Sequence, residues 1–180
     1  MILSMNEDIK NLRKDLERAK FDKEENERDA IVCTFAGDKF IETVVRTKDI
    51  RMGDIIKLDG HCQVPCDMAL LLTSNYKDGN TCYIETANID GETNLKVREA
   101  PDGVKTLITT GKPTKPLFEG RLEVEPPNKN IHNFAGAYHC TALGKEGAIP
   151  LSADNILLRA AIFSNTDWGY GVAIYCGQES

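Results

Sequence analysis

The sequence has 180 residues, of which 41% are hydrophobic and 28% are charged, and its formal net charge is −6. This length suits one ordinary domain and is too short for two full ones. Non-specific binding of nucleic acid needs an excess of basic residues, and the net charge of this chain is negative. No nucleic-acid partner is therefore expected. No window holds the roughly 18 apolar residues of a membrane-spanning helix, and no apolar signal segment follows Met1-Ile2-Leu3.

Residues 1–29 are highly charged and contain neither Gly nor Pro. Apolar residues recur there every three or four positions: Met5, Ile9, Leu12, Leu16 and Ala19. That spacing predicts a helix over 5–27 with a single apolar side, about 35 Å long. We expect a stalk or linker helix that packs against a neighbour, and the same spacing also fits a short coiled coil.

From residue 30 onward the hydrophobic pattern changes towards the alternation that is typical of β-strands. Short segments rich in β-branched and apolar residues predict strands at 30–35, 40–47, 55–58, 68–74, 82–87, 122–125 and 172–176. Gly, Asp, Asn and Pro separate these segments as turn residues, and 155–162 fits either a strand or a short helix. The pattern predicts a mainly β domain over 30–180, in the form of a barrel, a sandwich or a jelly roll.

Two segments are expected to lie outside regular strands. Residues 101–120 contain Gly111, Pro113 and Pro116 among small and charged residues, which predicts a mobile surface insertion. The Trp-Gly-Tyr-Gly run at 168–171 predicts a tight corner that leads into the last strand.

The sequence gives little support for a metal site or a disulfide framework. Cysteines occur at positions 33, 62, 66, 82, 140 and 176, and their irregular spacing favours reduced thiols of a cytosolic domain. His61, Cys62 and Cys66 are three soft ligands without the distant second pair that zinc sites use. Asp-Gly-Asn at 78–80 lacks the acidic residue that closes a calcium loop and is expected to form a turn.

The densest polar cluster of the predicted β domain is Glu-Thr-Ala-Asn-Ile-Asp-Gly-Glu-Thr-Asn at 85–94. Gly91 permits a positive φ and a close approach of the backbone to a ligand. Glu92 beside it can accept a proton or bind a cation. By composition alone, however, the cluster is more typical of a β-turn with solvated acids. The chain has neither the G-x-S-x-G turn of hydrolases nor a glycine-rich phosphate loop.

Several motifs together resemble one family. Residues 90–96 read D-G-E-T-N-L-K, which resembles the signature of type IV P-type ATPases, the phospholipid flippases. Further blocks resemble that family in the same order: M-G-D-I at 52–55, V-P-C-D at 64–67, C-Y-I-E-T-A-N at 82–88, N-I-L-L-R at 155–159 and N-T-D-W at 165–168. Residues 22–28 resemble the helical segment that follows the family's second membrane helix.

This chain departs from the family's pattern at three positions outside the signature. Cys66 stands where the family usually has Ala, Ala160 where it has Gly, and Ser164 where it has a basic residue. None of these changes affects the signature, so the implied chemistry is unaffected, although Ala160 is expected to alter a local turn.

The resemblance implies that the chain is the family's actuator domain, a distorted jelly roll or double-stranded β-helix with an N-terminal helix. The D-K-T-G-T phosphorylation motif does not occur in the sequence. The implied partners are therefore the phosphorylation domain and membrane helices of the same polypeptide, together with a phospholipid substrate and an accessory subunit. ATP and Mg²⁺ are implied for the full-length enzyme at the cytoplasmic face of a membrane, whereas no cofactor or metal is expected in this fragment.

The resemblance also implies roles for four residues. The actuator moves its D-G-E-T loop over an aspartyl phosphate on another domain, and this step is coupled to lipid flipping from the exoplasmic to the cytoplasmic leaflet. Glu92 would orient and deprotonate the attacking water, and Gly91 would let the loop backbone approach the phosphate. Asp90 and Thr93 would shape and hold the loop.

Two other classes remain open. A cation pump of the same superfamily would carry T-G-E-S where this chain has D-G-E-T at 90–93. A non-catalytic β interaction module with a coiled-coil stalk would not need Glu92, and it would form a dimer through Ile9, Leu12 and Leu16.

The sequence predicts that this chain by itself is inert towards ATP, because it has no phosphate loop and no acceptor Asp motif. We expect no hydrolysis and no ATP binding tighter than about millimolar, a free energy of about −4 kcal/mol. Isothermal titration calorimetry measures the affinity directly, and a micromolar value would contradict the interpretation as an actuator fragment.

Overall fold

The computed structural model describes residues 14, 16, 17, 19, 20, 22–126, 134–144 and 147–177. Within these residues the strands are β1 (Asp29–Ala36), β2 (Lys39–Arg46), β3 (Ile55–Asp59), β4 (Cys62–Gln63), β5 (Asp67–Thr73), β6 (Thr81–Glu85), β7 (Lys96–Glu99), β8 (Gly120–Val124), β9 (Ala135–Cys140), β10 (Ile149–Ser152), β11 (Ile156–Leu157), β12 (Ile162–Ser164) and β13 (Trp168–Tyr175). Short helices are α1 (Ala87–Asp90), α2 (Asp102–Lys105) and α3 (Lys115–Phe118), with 3-10 turns at Thr47–Asp49, Thr141–Leu143 and Ala153–Asn155.

The strands form three antiparallel sheets. A six-stranded sheet has the order β11-β5-β13-β3-β1-β2, a four-stranded sheet has the order β4-β12-β6-β7, and a three-stranded sheet has the order β10-β9-β8. The described residues are therefore mainly β, which confirms the predicted fold class. Among them, no helix is long and apolar enough to cross a bilayer.

Two hydrophobic cores lie on opposite sides of the six-stranded sheet, because successive side chains of a strand point to opposite faces. Leu71 of β5 belongs to a core shared with Tyr138 and Leu151 of the three-stranded sheet. Leu70, the preceding residue, belongs to a second core shared with Ile84 and Phe163 of the four-stranded sheet. The six-stranded sheet is thus the middle layer of the fold.

The Trp-Gly-Tyr-Gly run forms the first half of β13, so the predicted corner at 168–171 is wrong. Its glycines serve close packing rather than a turn. A Cβ on Gly171 would lie 2.3 Å from the carbonyl oxygen of Ala69 in β5. A Cβ on Gly169 would lie 3.0 Å from the Phe163 ring. Gly is the residue that lets a second backbone approach this closely.

The segment 101–120, predicted as a mobile surface insertion, contributes side chains to the first core. Val104 of α2 and Leu117 and Phe118 of α3 are buried there. The structure therefore corrects the expectation that the segment lies on the surface, and its mobility remains a prediction. Gly and Pro rule out a long helix or strand here. Two short helices nevertheless bury three apolar side chains in the first core.

The N-terminal helix is described at residues 14, 16, 17, 19, 20 and 22–26. Leu16 is 62% exposed, so this side chain of the predicted apolar stripe is not covered by the described residues. Met5, Ile9 and Leu12, on which the coiled-coil alternative depends, lie outside the described residues.

The close approach at Gly171 predicts a large effect of a small substitution. Gly171→Ala should lower the free energy of unfolding by about 1–3 kcal/mol, because β13 must move away from β5 in a core packed on both sides. Val44→Ala on β2, where Val44 is 64% exposed, is the control and should change it by about 0.5 kcal/mol or less. Urea unfolding measures both, and equal stabilities would contradict the close packing.

Candidate functional site

The polar cluster at 85–94 folds into a helical turn held between the end of β6 and the start of β7. The helix α1 begins after Thr86, whose carbonyl accepts hydrogen bonds from the amides of Ile89 and Asp90. Gly91 ends the helix with a φ of 77°, and its amide donates to the Ala87 carbonyl at 3.2 Å. A residue with a Cβ at this left-handed position would cost about 1–2 kcal/mol.

Asp90 is the internal anchor of this turn. Its carboxylate accepts a hydrogen bond from the Thr86 hydroxyl at 2.9 Å and another from the Glu92 amide at 2.9 Å. The Lys96 ammonium donates a third hydrogen bond at 2.5 Å. The Lys96 hydrogen bond, followed by that of the Glu92 amide, lowers the pKa of Asp90 to about 2. Asp90 is thus ionised at neutral pH and fixes the backbone on both sides of Gly91.

Glu92 projects from the turn. Its side chain is 62% exposed, and its Oε2 lies 2.7 Å from the Lys96 ammonium. Thr93 is exposed as well, and among the described residues its hydroxyl has no hydrogen-bond partner. The structure therefore brings Asp90, Glu92 and Gly91 into one compact turn, in which the backbone is fixed and the Glu92 carboxylate faces outward.

Two residues of this site carried no assigned role in the sequence analysis. Thr86 is 2% exposed, and its hydroxyl donates a hydrogen bond to the Asp90 carboxylate. Lys96 bridges the carboxylates of Asp90 and Glu92, and the hydrogen bonds that its ammonium donates to them, above all the one to Asp90, raise its pKa. A basic residue four positions after Glu92 is the available sequence signal for this pairing.

A second hydrogen-bonded chain supports the turn from the four-stranded sheet. The Ser164 hydroxyl donates to Glu85 at 2.7 Å, and the Nδ1 of His61 lies 3.0 Å from the same hydroxyl. Since the hydroxyl proton is directed to Glu85, His61 donates through Nδ1. Ser164 is 3% exposed, so it connects the end of β12 to the residue that precedes Thr86.

Three exposed apolar side chains lie on or next to the turn. Ile89 is 36% exposed, Leu95 is 44% exposed and Val97 is 51% exposed. Exposed apolar side chains grouped within one short segment are typical of a surface that contacts another protein.

The other polar motifs serve the fold. The Asn80 side chain donates to the Leu71 carbonyl and accepts from the Thr73 backbone amide. The side-chain amide of the Asp-Gly-Asn turn at 78–80 therefore stabilises the fold. Within the part of the chain that the structure describes, no three His, Cys, Asp or Glu side chains are grouped as metal ligands. All six cysteines are free thiols.

Three relatives found by comparison with known proteins all have the same kind of name. The chain is 38% identical over 176 residues to phospholipid-transporting ATPase C887.12 of Schizosaccharomyces pombe. It is 37% identical over 172 residues to phospholipid-transporting ATPase DRS2 of Saccharomyces cerevisiae, and 36% identical over 172 residues to human phospholipid-transporting ATPase IC. Each match covers 96% of this chain and only 12–13% of the relative's length. No family model matches the chain.

The Asp90 contacts predict an unusual titration. We expect carbon-detected NMR to give a pKa of about 2 for Asp90. Lys96→Met should return the pKa of Asp90 towards the ordinary Asp value of about 3.9, because it removes the hydrogen bond that lowers this pKa most. The lowered pKa stabilises the turn above about pH 4, and this stabilisation is lost as the pH falls towards 2.

The matched control for this titration is Lys57→Met, which removes a lysine that pairs with Glu42 and Asp59 instead. This variant should leave the Asp90 titration unchanged. A wild-type Asp90 pKa near 4 would show that the turn is not held by its carboxylate in solution.

Proposed function

This chain belongs to the type IV P-type ATPases, the phospholipid-transporting ATPases, and from that premise we propose that it is the actuator domain of such a pump. Its D-G-E-T turn hydrolyses an aspartyl phosphate on the phosphorylation domain of the same polypeptide. The observation that carries this proposal is the turn itself, in which Asp90 fixes the backbone while Glu92 faces outward beside Lys96.

In the proposed reaction, Glu92 orients a water molecule and accepts its proton. The water oxygen attacks phosphorus, the bond between phosphorus and the aspartyl oxygen breaks, and inorganic phosphate leaves. Phosphoryl transfer needs mainly positioning and charge stabilisation, and a fixed turn with one projecting carboxylate supplies the positioning. ATP would supply the phosphoryl group at another domain of the full-length enzyme, where Mg²⁺ would also bind.

Lys96 offsets the main electrostatic obstacle to this reaction. Two carboxylates brought next to a phosphate dianion are repelled. The Lys96 ammonium, 2.5 Å from Asp90 and 2.7 Å from Glu92, offsets part of that negative charge. It also holds the Glu92 carboxylate near the turn before the phosphate arrives.

The exposed apolar residues Ile89, Leu95 and Val97 support a docking role for the same surface. They would contact the phosphorylation domain when the turn reaches the phosphate. In the full-length pump this step would be coupled to transport of a phospholipid from the exoplasmic to the cytoplasmic leaflet, with the present domain on the cytoplasmic side. The relatives' names favour this transport over that of a cation pump.

The test is Glu92→Gln in the full-length protein. The amide keeps the size of the side chain but does not accept the proton, so dephosphorylation should slow by about 10²–10⁴-fold. Phosphoenzyme should still form from ATP and then accumulate, and lipid transport should stop. Pulse-chase labelling with radioactive ATP measures formation and decay separately.

Two further variants complete the experiment. Asp90→Asn should slow dephosphorylation less, because it weakens the turn without removing the proposed base. Glu119→Gln is the matched control, since Glu119 is also an exposed glutamate but follows α3, and it should behave as wild type. Phosphoenzyme decay at the wild-type rate in Glu92→Gln would reject Glu92 as the base and leave the turn with a docking role.

A further inference from the structure

Two cysteines lie side by side at one end of the middle sheet. β5 and β13 are antiparallel, and their last paired residues are Asp67 and Tyr175. Cys66 precedes Asp67 and Cys176 follows Tyr175, so the two cysteines directly continue the last strand pair, and Cys176 packs against the second core, which contains Cys66. Opposed residues of antiparallel strands have Cα atoms about 4.5–5.5 Å apart, which lies within the roughly 4.4–6.8 Å span of disulfides.

The two thiols already interact. The Cys66 thiol donates a hydrogen bond to the Cys176 sulfur. The sequence alone does not predict this pairing, because the two residues are far apart along the chain and neither belongs to a spaced cysteine motif.

The two sulfurs differ in exposure and in acidity. Cys66 is 2% exposed, and the hydrogen bond to Cys176, together with burial, raises the pKa of its thiol. Cys176 is half-buried, and the hydrogen bond from Cys66 lowers the pKa of its thiol. Arg159 also favours the Cys176 thiolate, whereas burial, Asp54 and Asp67 oppose it. The accessible sulfur is thus the more readily ionised one, as in reactive cysteines.

We propose that Cys66 and Cys176 are a redox modification site that forms a reversible disulfide when the protein meets a hydroperoxide. The Cys176 thiolate attacks one peroxide oxygen, an S–O bond forms, the O–O bond breaks, and hydroxide leaves and takes up a proton to become water. The Cys66 sulfur then attacks the Cys176 sulfenic acid, the S–S bond forms, the S–O bond breaks, and the Cys66 proton leaves with the hydroxide as water.

The step is balanced. Two thiols lose two electrons and two protons in total, and one hydrogen peroxide molecule is reduced to two water molecules. A low-molecular-weight dithiol reverses the reaction by thiol-disulfide exchange.

The other thiols of the chain are poorer substrates. Cys33, Cys82 and Cys140 are each at most 2% exposed. Cys62 is half-buried like Cys176, but burial raises its pKa. Cys62 therefore provides a control that matches Cys176 in exposure and differs in ionisation.

The disulfide would lock a region that hydrogen bonds already hold together. The Arg159 amide donates to the Asp67 carboxylate at 2.7 Å, and its guanidinium donates to the Gly177 carbonyl at 3.1 Å. A covalent link between the ends of β5 and β13 would close a long loop and restrict the unfolded chain. Oxidation should therefore raise the thermal unfolding midpoint by about 5 °C or more.

The test is oxidation of this chain with one equivalent of hydrogen peroxide at neutral pH, followed by alkylation and peptide mapping. We expect one linked pair of peptides, containing Cys66 and Cys176, while the remaining four of the six cysteines are alkylated. Dithiothreitol should restore both thiols and the original unfolding midpoint. Before oxidation, Cys176 should react with iodoacetamide about tenfold faster than Cys62.

Three variants separate the steps. Cys66→Ala should leave a Cys176 sulfenic acid that dimedone traps, with no linked peptide and no rise in the unfolding midpoint. Cys176→Ser should abolish both products, and Cys62→Ser should behave as wild type. A different linked pair, an intermolecular link, or no link in the wild-type protein would overturn the proposal, as would equal alkylation rates for Cys176 and Cys62.

Discussion

The pairing of β5 with β13 is the constraint on which the rest of the fold depends. Both strands are buried on both faces, so each supplies alternate side chains to the two cores. The two outer sheets pack on opposite sides of this pair, and each buried aliphatic side chain contributes about 1.5–3 kcal/mol. Gly169 and Gly171 allow this double packing, because a Cβ at either position would meet Phe163 or the β5 backbone.

The geometry of the proposed site follows from the four-stranded sheet that packs on this pair. Phe163 anchors β12 in the second core, and Ser164 next to it binds Glu85 at the end of β6. Thr86 then binds Asp90, which binds the Glu92 amide. These hydrogen bonds, joined by the peptide bond between Glu85 and Thr86, connect the second core to the turn at Gly91. The backbone is preorganised by buried contacts, while the Glu92 carboxylate stays free of the core, as positioning chemistry requires.

The sequence predicts those elements whose residues are themselves β-formers and predicts poorly those that depend on distant partners. The runs in β1, β2, β3 and β5 alternate or are strongly apolar, and their predicted bounds differ from the observed ones by at most one residue at each end. β9 (Ala-Gly-Ala-Tyr-His-Cys) has no such signal and is defined by its pairing with β8 and β10. The same limit applies to the site. Its motif locates Glu92, but the contacts of Thr86 and Lys96 with Asp90 exist only once the chain turns at Gly91.

The C-terminal end of the N-terminal helix contacts the four-stranded sheet. Glu25 near the helix end is 8% exposed, forms an ion pair with Arg28 at 2.8 Å, and accepts a hydrogen bond from Gln63 of β4 at 2.8 Å. Gln63 pairs directly with Ile162 of β12, the strand whose last residue, Ser164, holds Glu85. The helix end is therefore bound to β4, β4 is paired with β12, and β12 holds Glu85, the residue before the turn. The path between the helix end and the turn thus consists of paired strands and hydrogen-bonded side chains.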